Sequence, residues 1–150
     1  MIIIPKMYLD NVFRFEKEIK EIAKECIKAR EKAILIPSSS TRVGAVLFDS
    51  DGNKYLGYNI QNRVHKSYHA EEIAVLNALL QGADMKKMVG MAVSFSKTIK
   101  DLTFCCGCCR QVMWEYIQNP DLIIYEISIE DGSIVDSKML SELYPFPYPR

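Results

Sequence analysis

From Asp10 to Ala33 the apolar residues Val12, Phe13, Phe15, Ile19, Ile22, Ala23, Cys26, Ile27 and Ala29 return at steps of three and four, with lysines and glutamates between them. That period predicts an amphipathic helix with one face on a core. Pro37 and the run Ser38-Ser39-Ser40-Thr41 break the pattern. Val43–Phe48 and Lys54–Tyr58 are short and β-leaning, and Gly52 within Asp49-Ser-Asp-Gly-Asn53 marks a tight turn, so the two segments predict a hairpin. His69 to Leu80, with Ala70, Ile73, Ala74, Leu76, Ala78 and Leu79 apolar, predicts a second, largely buried helix that stops at Gly82. Val89–Phe95 reads as a third strand, Gly107–Ile117 as a third helix and Leu122–Ile127 as a fourth strand. Glu130-Asp-Gly-Ser133 is a further turn before a short fifth strand, and Ser137–Leu143 reads as a short terminal helix.

Helix, hairpin, then strand and helix in alternation imply an α/β fold: a sheet, partly parallel, with helices on its faces. No repeat, low-complexity stretch or linker divides the chain, which predicts a single domain over residues 1–150. At this length about 68–70% of the unfolded surface can be buried, so a core forms without disulfide staples.

Charge narrows the choice of partner. Nineteen basic groups balance nineteen acidic ones, which removes the electrostatic signature of a protein that binds polynucleotide or anionic membrane. No run approaches the roughly 20 apolar residues of a membrane span, and the apolar start after Met1 is short and lacks a basic leader. A small uncharged ligand is the expected partner.

Cysteine departs from the ordinary. There are five, and four fall within residues 105–109. A disulfide framework spreads its cysteines along the chain, whereas such a cluster points to metal ligation or redox chemistry in a reducing, cytoplasmic setting. Two sites then stand out, His69-Ala70-Glu71 and Cys106-Gly107-Cys108-Cys109, each opening a predicted helix. At a helix start the amide groups and the dipole favour thiolate over thiol. One His and two Cys give a tetrahedral zinc ion three protein ligands and leave a fourth position for water, the composition of a catalytic rather than a structural site. Glu71, two residues beyond the His, is free to act as a proton shuttle. The cluster contains a second CxxC, Cys105 with Cys108. A redox dithiol would explain either pair but not His-Ala-Glu, and a four-ligand structural zinc would leave Glu71 without a task.

H-x-E followed by P-C-x-x-C is the signature of the zinc nucleobase deaminases, matched here except at the proline. The stretch VGAVLFDSDGNKYLGYNIQN, then HAE, CGCCRQVMWEY and LYPFPY, resembles the short cytidine deaminases of nucleoside salvage over most of residues 33–148. The resemblance implies an α/β/α three-layer sandwich with a mixed five-stranded sheet, assembled as a homotetramer. It implies His69, Cys106 and Cys109 as zinc ligands, Glu71 as the catalytic proton shuttle, and hydrolysis of cytidine or 2′-deoxycytidine to the uracil nucleoside and ammonia. The register Cys106–Cys109 is favoured because Gly107 then lies between the ligands and Arg110-Gln111 follows them. Asn59 matches an asparagine that holds the ribose, and Gln61 falls where the family has a glutamate on the same sugar. The Ala70 amide and the carbonyl of Cys106 or its neighbours are candidate contacts to the base edge. Phe146, with Tyr148, matches a C-terminal aromatic that reaches a neighbouring subunit's active site.

Several positions depart from the family pattern. Thr41 stands where a phenylalanine packs on the pyrimidine ring, and Cys105 where a proline precedes the first ligand cysteine. The interval from Asn59 to His69 is one residue shorter. The short enzymes use three cysteines and an arginine after the catalytic glutamate; here His69 replaces a thiolate, the site is neutral with zinc bound, and Glu72 follows. These differences keep related substrates open: blasticidin S, an N4-substituted cytidine, or deoxycytidylate, for whose phosphate Arg42, Arg63 and Lys66 are the nearby candidates. A zinc-binding module without turnover is the remaining alternative. Cys26, Cys105 and Cys108 are expected to pack, Trp114 and Tyr116 to pack or to meet a partner, and His65 to sit in a surface loop.

Overall fold

The computed structural model describes residues 6–97, 104–128 and 130–148, with side chains from residue 18 onward. In chain order the elements are α1 (Lys6–Glu31), β1 (Val43–Asp49), β2 (Lys54–Tyr58), the short β3 (Ile60–Gln61) and β4 (Ser67–Tyr68), α2 (Ala70–Leu80), β5 (Met88–Phe95), α3 (Gly107–Ile117), β6 (Ile123–Ile127), β7 (Ile134–Met139) and α4 (Leu140–Leu143). The large sheet has the order β2-β1-β5-β6-β7. β1 runs antiparallel to β2 and β5, β5 and β6 are parallel, and β7 is antiparallel to β6. The sheet is therefore mixed and five-stranded, as expected, with α3 on the crossover that a parallel pair requires.

Strand alternation divides the core into two layers. Val46 and Phe48 of β1 pack with Ile19, Ile22, Ala23 and Cys26 of α1, and Ala92 and Ile127 join them. Ala45 and Leu47, one step out of phase, pack with Ala70, Ala74, Val75 and Ala78 of α2 and Met113 and Ile117 of α3. Residues Gly44 to Asp49 are all buried, the expected state of a strand covered on both faces. Two glycines set how close the helices come. A Cβ on Gly44 would stand 2.2 Å from the Cys26 carbonyl oxygen, and one on Gly57 would stand 2.0 Å from the Ala70 carbonyl oxygen. Without side chains at these points, α1 and the first turn of α2 lie directly on the strands.

Three differences from expectation have physical reasons. The terminal helix does not begin at Ser137: residues 137–139 complete β7, pairing with β6 down to Ile123–Met139, and the helix is only Leu140–Leu143. Ladder hydrogen bonds outweigh a weak helical spacing there. A small hairpin, β3–β4, closes the segment before α2, where two-residue strands leave no readable period. α1 begins at Lys6 rather than near Asp10. Among the described residues no helix is long and apolar enough to cross a membrane.

Candidate active site and metal centre

His69 is the extended residue that caps α2 (φ −80°, ψ 152°), and Cys106 occupies the same place at α3 (φ −70°, ψ 167°). An N-cap side chain turns back over the first helical turn, toward the residue three positions on. In α3 that residue is Cys109, so the C-x-x-C spacing brings both sulfurs to one side of the helix start. β4 delivers the His69 cap beside it. His69 Nδ1 lies 3.3 Å from Cys106 Sγ and 3.4 Å from Cys109 Sγ, and the three donor atoms fall within 4.8 Å of one another. Zn–S and Zn–N bonds of about 2.3 and 2.1 Å make the N···S edge of a tetrahedron about 3.5 Å, so the trio fits zinc. Burial pushes the Cys109 thiol up, and the charges of Glu71 and Cys106 push it further. A divalent cation offsets both effects.

Glu72 holds the His in place from below: the His69 backbone N–H donates to Glu72 Oε2 at 3.3 Å. The residue that replaces the family's arginine therefore caps the helix that carries the imidazole. Glu71, one position earlier, is 4% exposed. Burial raises its carboxyl pKa, while its own backbone N–H, the charge of His69 and a hydrogen bond with Cys109 pull it down. A carboxyl that keeps a proton more readily than usual, beside three metal-type donors, has the character of an acid–base group.

His69 and Cys106 open onto a cleft of about 240 Å³, with Cys109 buried behind them. His69, Ala70, Glu71 and Cys106 line it at the two helix starts, Asn59 and Gln61 where β2 passes into β3, and Thr41, Val43 and Phe95 at the sheet; Ser39 and Ser67 complete the lining. Of the expected site residues, His69, Cys106, Cys109 and Glu71 are thus together, and Asn59, Gln61 and Ala70 border the same space. Asn59 is also structural. Its Oδ1 accepts from the Val43 N–H at 2.8 Å and its Nδ2 donates to the Thr41 carbonyl at 3.0 Å, which leaves one donor and one acceptor position for a ligand. Gln61 Oε1 accepts from the Ile36 N–H.

Phe146 is 78% exposed and is not among the residues lining its own chain's cleft. The segment before it is fastened by side chains that the sequence had marked only as motif neighbours. Arg110 donates through Nε to the Cys105 carbonyl and through Nη1 to the Leu143 carbonyl, each at 2.9 Å, and Gln111 bonds to the Tyr144 hydroxyl and the Tyr148 carbonyl. Cys105 packs in the core, with burial pushing its thiol up to about 12, and Cys26 is buried as expected. Cys108 is a correction, exposed rather than packed.

The candidate phosphate ligands are placed elsewhere. Arg42 Nη1 donates to the carbonyls of Ala33 at 2.7 Å and Glu31 at 3.3 Å. Arg63 and Lys66 are exposed in the β3–β4 turn, with Lys66 Nζ 4.7 Å from the Tyr68 ring centre. None of the three lines the cleft. Ser39, Val43, Ser67 and Phe95 are cleft residues that the sequence did not mark; Phe95 ends a strand that reads as core, and its only signal was a large aromatic at the strand end nearest the helix starts.

Residues 16–125 match the family model described as the cytidine and deoxycytidylate deaminase zinc-binding region. The chain is 36% identical over 112 residues to cytidine deaminase 6 of Arabidopsis thaliana, covering 73% of this chain but 36% of that protein, so it spans about a third of that relative's length. It is 28% identical over 129 residues to the cytidine deaminase of Sporosarcina psychrophila, covering 85% of this chain and 89% of that one. Among solved structures, cytidine deaminase from Burkholderia pseudomallei superposes with a TM-score of 0.72 at 30% identity, over 89% of this chain and 98% of the other.

Proposed function

This chain belongs to the cytidine and deoxycytidylate deaminase family, and we propose that it hydrolyses free cytidine and 2′-deoxycytidine to uridine and 2′-deoxyuridine with release of ammonia. The observation that carries the substrate class is the character of the cleft: Glu71, His69 and Cys106 line it, and the described residues of its lining include no lysine or arginine. A 5′-phosphate calls for cationic partners, and Arg42 is already engaged with backbone carbonyls.

His69 through Nδ1, Cys106 and Cys109 would hold zinc, which would supply the Lewis acidity that makes a water molecule nucleophilic near neutral pH. Two thiolates and a neutral imidazole balance the charge of the ion, so no compensating arginine is needed. Glu71 takes one proton from the water as it adds to C4 of the cytosine ring and delivers it to N3, then takes the second proton from the hydroxyl formed at C4 and gives it to the amino group, which leaves as ammonia. Its buried position and raised pKa suit both directions of that transfer. The Ala70 N–H, in the first turn of α2 where amides lack intrahelical partners, is oriented by the helix to donate to the base edge. The Cys106 carbonyl accepts the Arg110 N–H and keeps a second acceptor position for the base. Asn59 and Gln61 bind the sugar with the hydrogen-bonding capacity left over from their contacts to the 34–43 segment.

The active assembly is a homotetramer in which Phe146 reaches the cleft of a neighbouring copy; its exposure, on a segment anchored through Arg110 and Gln111, supports that role. Five free cysteines suit the reducing cytoplasm, where the enzyme serves pyrimidine salvage.

The test is loss of ultraviolet absorbance and release of ammonia with cytidine, deoxycytidine, cytosine, dCMP and blasticidin S. Turnover is expected with the first two. Glu71→Ala abolishes turnover while about one zinc per chain is retained, as expected for a proton shuttle that is not a ligand. Turnover surviving in that variant, or wild-type activity confined to dCMP or blasticidin S, overturns the proposal.

A further inference from the structure

Phe95 and Val43 are register partners across the β1–β5 pair, and both line the cleft beside His69 and Cys106. Phe95 is the one aromatic among the described residues of that lining. Its backbone is clamped from behind. Arg30, buried between α1 and the sheet, donates Nη1 to Ser94 Oγ at 3.1 Å and to the Phe95 carbonyl at 3.0 Å. On the other side the Ser96 N–H donates to the Arg42 carbonyl and the Arg42 N–H to Ser96 Oγ, each at 2.8 Å. Buried guanidinium groups are costly to place, and this one is directed at the strand end that carries the ring. Thr41, on the approach to β1, offers no ring, and its carbonyl is occupied by Asn59.

A flat heteroaromatic base leaves water most readily onto an aromatic surface, which every base can use because each has a π face. We infer that Phe95 is the surface against which the pyrimidine ring of the substrate stacks, so that the base is held from β5 rather than from the segment before β1. This rests on the reading of the cleft as a cytosine nucleoside site. Arg30 is then a positioning residue, setting the strand end and touching no ligand.

Calorimetric titration with uridine, together with KM and kcat for cytidine, tests the inference on Phe95→Ala, Phe95→Leu and Phe95→Tyr, with zinc content measured in each. Phe95→Ala is expected to weaken uridine binding and raise KM by about 5- to 150-fold, the range of base–aromatic stacking, with kcat changed far less and zinc retained. Phe95→Leu falls between Ala and wild type, and Phe95→Tyr restores tight binding. Should the Ala variant fail to fold, the Leu and Tyr pair decides alone. Uridine bound by the Ala or Leu variant as tightly as by wild type overturns the inference. A wild-type protein that neither binds uridine nor deaminates cytidine overturns instead the reading of the site on which it rests.

Discussion

Four cysteines in five consecutive positions have three fates, set by their places around one helix start. Cys106 at the cap and Cys109 three residues on face His69; Cys105 turns into the core and Cys108 to solvent. Cys106→Ser and Cys109→Ser are expected to reduce bound zinc from one per chain to near zero by atomic absorption. Cys108→Ser keeps the zinc and changes stability by no more than about 0.5 kcal/mol, the scale of a surface substitution. Cys105→Ala keeps the zinc and costs about 1 kcal/mol through lost burial. Zinc lost in the Cys105 variant and kept in the Cys106 variant would reverse the register. The trio and Glu71 were legible because metal ligation demands fixed residue types at fixed spacing. Phe95 was not, because a strand end that faces a cleft has the same alternation as one that faces a core. Nor was the clamp by Asn59, whose partners lie 16 and 18 positions away.

At the scale of elements, the site depends on how closely α2 rests on β2. Gly57 has the Ala70 carbonyl and the Ala74 amide where a side chain would begin, and Ala70 lies between His69 and Glu71. Gly57→Ala must push the helix start away from the strand, at a cost of at least about 1–3 kcal/mol. Because the displacement falls on both His69 and Glu71, cytidine turnover is expected to fall by more than the loss of folded protein; denaturant melts and activity per folded molecule separate the two. Full specific activity in a merely less stable variant would show that the contact is only structural. The helices and the four buried or half-buried strands were readable from their periods. β7 was readable only as a short strand, since its residues are largely exposed and its extent is fixed by pairing with β6, which no local pattern reports.

Across the whole molecule, the metal trio joins α2 to α3 over a sheet whose two faces are separately packed. Zinc held by the native state alone stabilises it by about 2.7 kcal/mol at a free concentration one hundred times its Kd. For a chain of this size that amounts to a rise in Tm of about 5–11 °C. Stripping the protein with a chelator and following thermal unfolding by circular dichroism is expected to show a loss of that order, reversed by added zinc; an unchanged Tm would mean that the two helix starts are held without the ion. The α/β/α layering was legible as a whole because it follows from the order of elements. The join between the helices was legible only through its residue types, because the residues that make it lie 37 and 40 positions apart in the chain and no local period links them. That separation also fixes the order of assembly. An unfolded chain offers zinc the clustered thiols of residues 105–109 without the imidazole, which arrives once β4, α2 and the sheet have formed. The three-ligand site is therefore completed last in maturation, and zinc withheld until refolding is complete is expected to restore full activity.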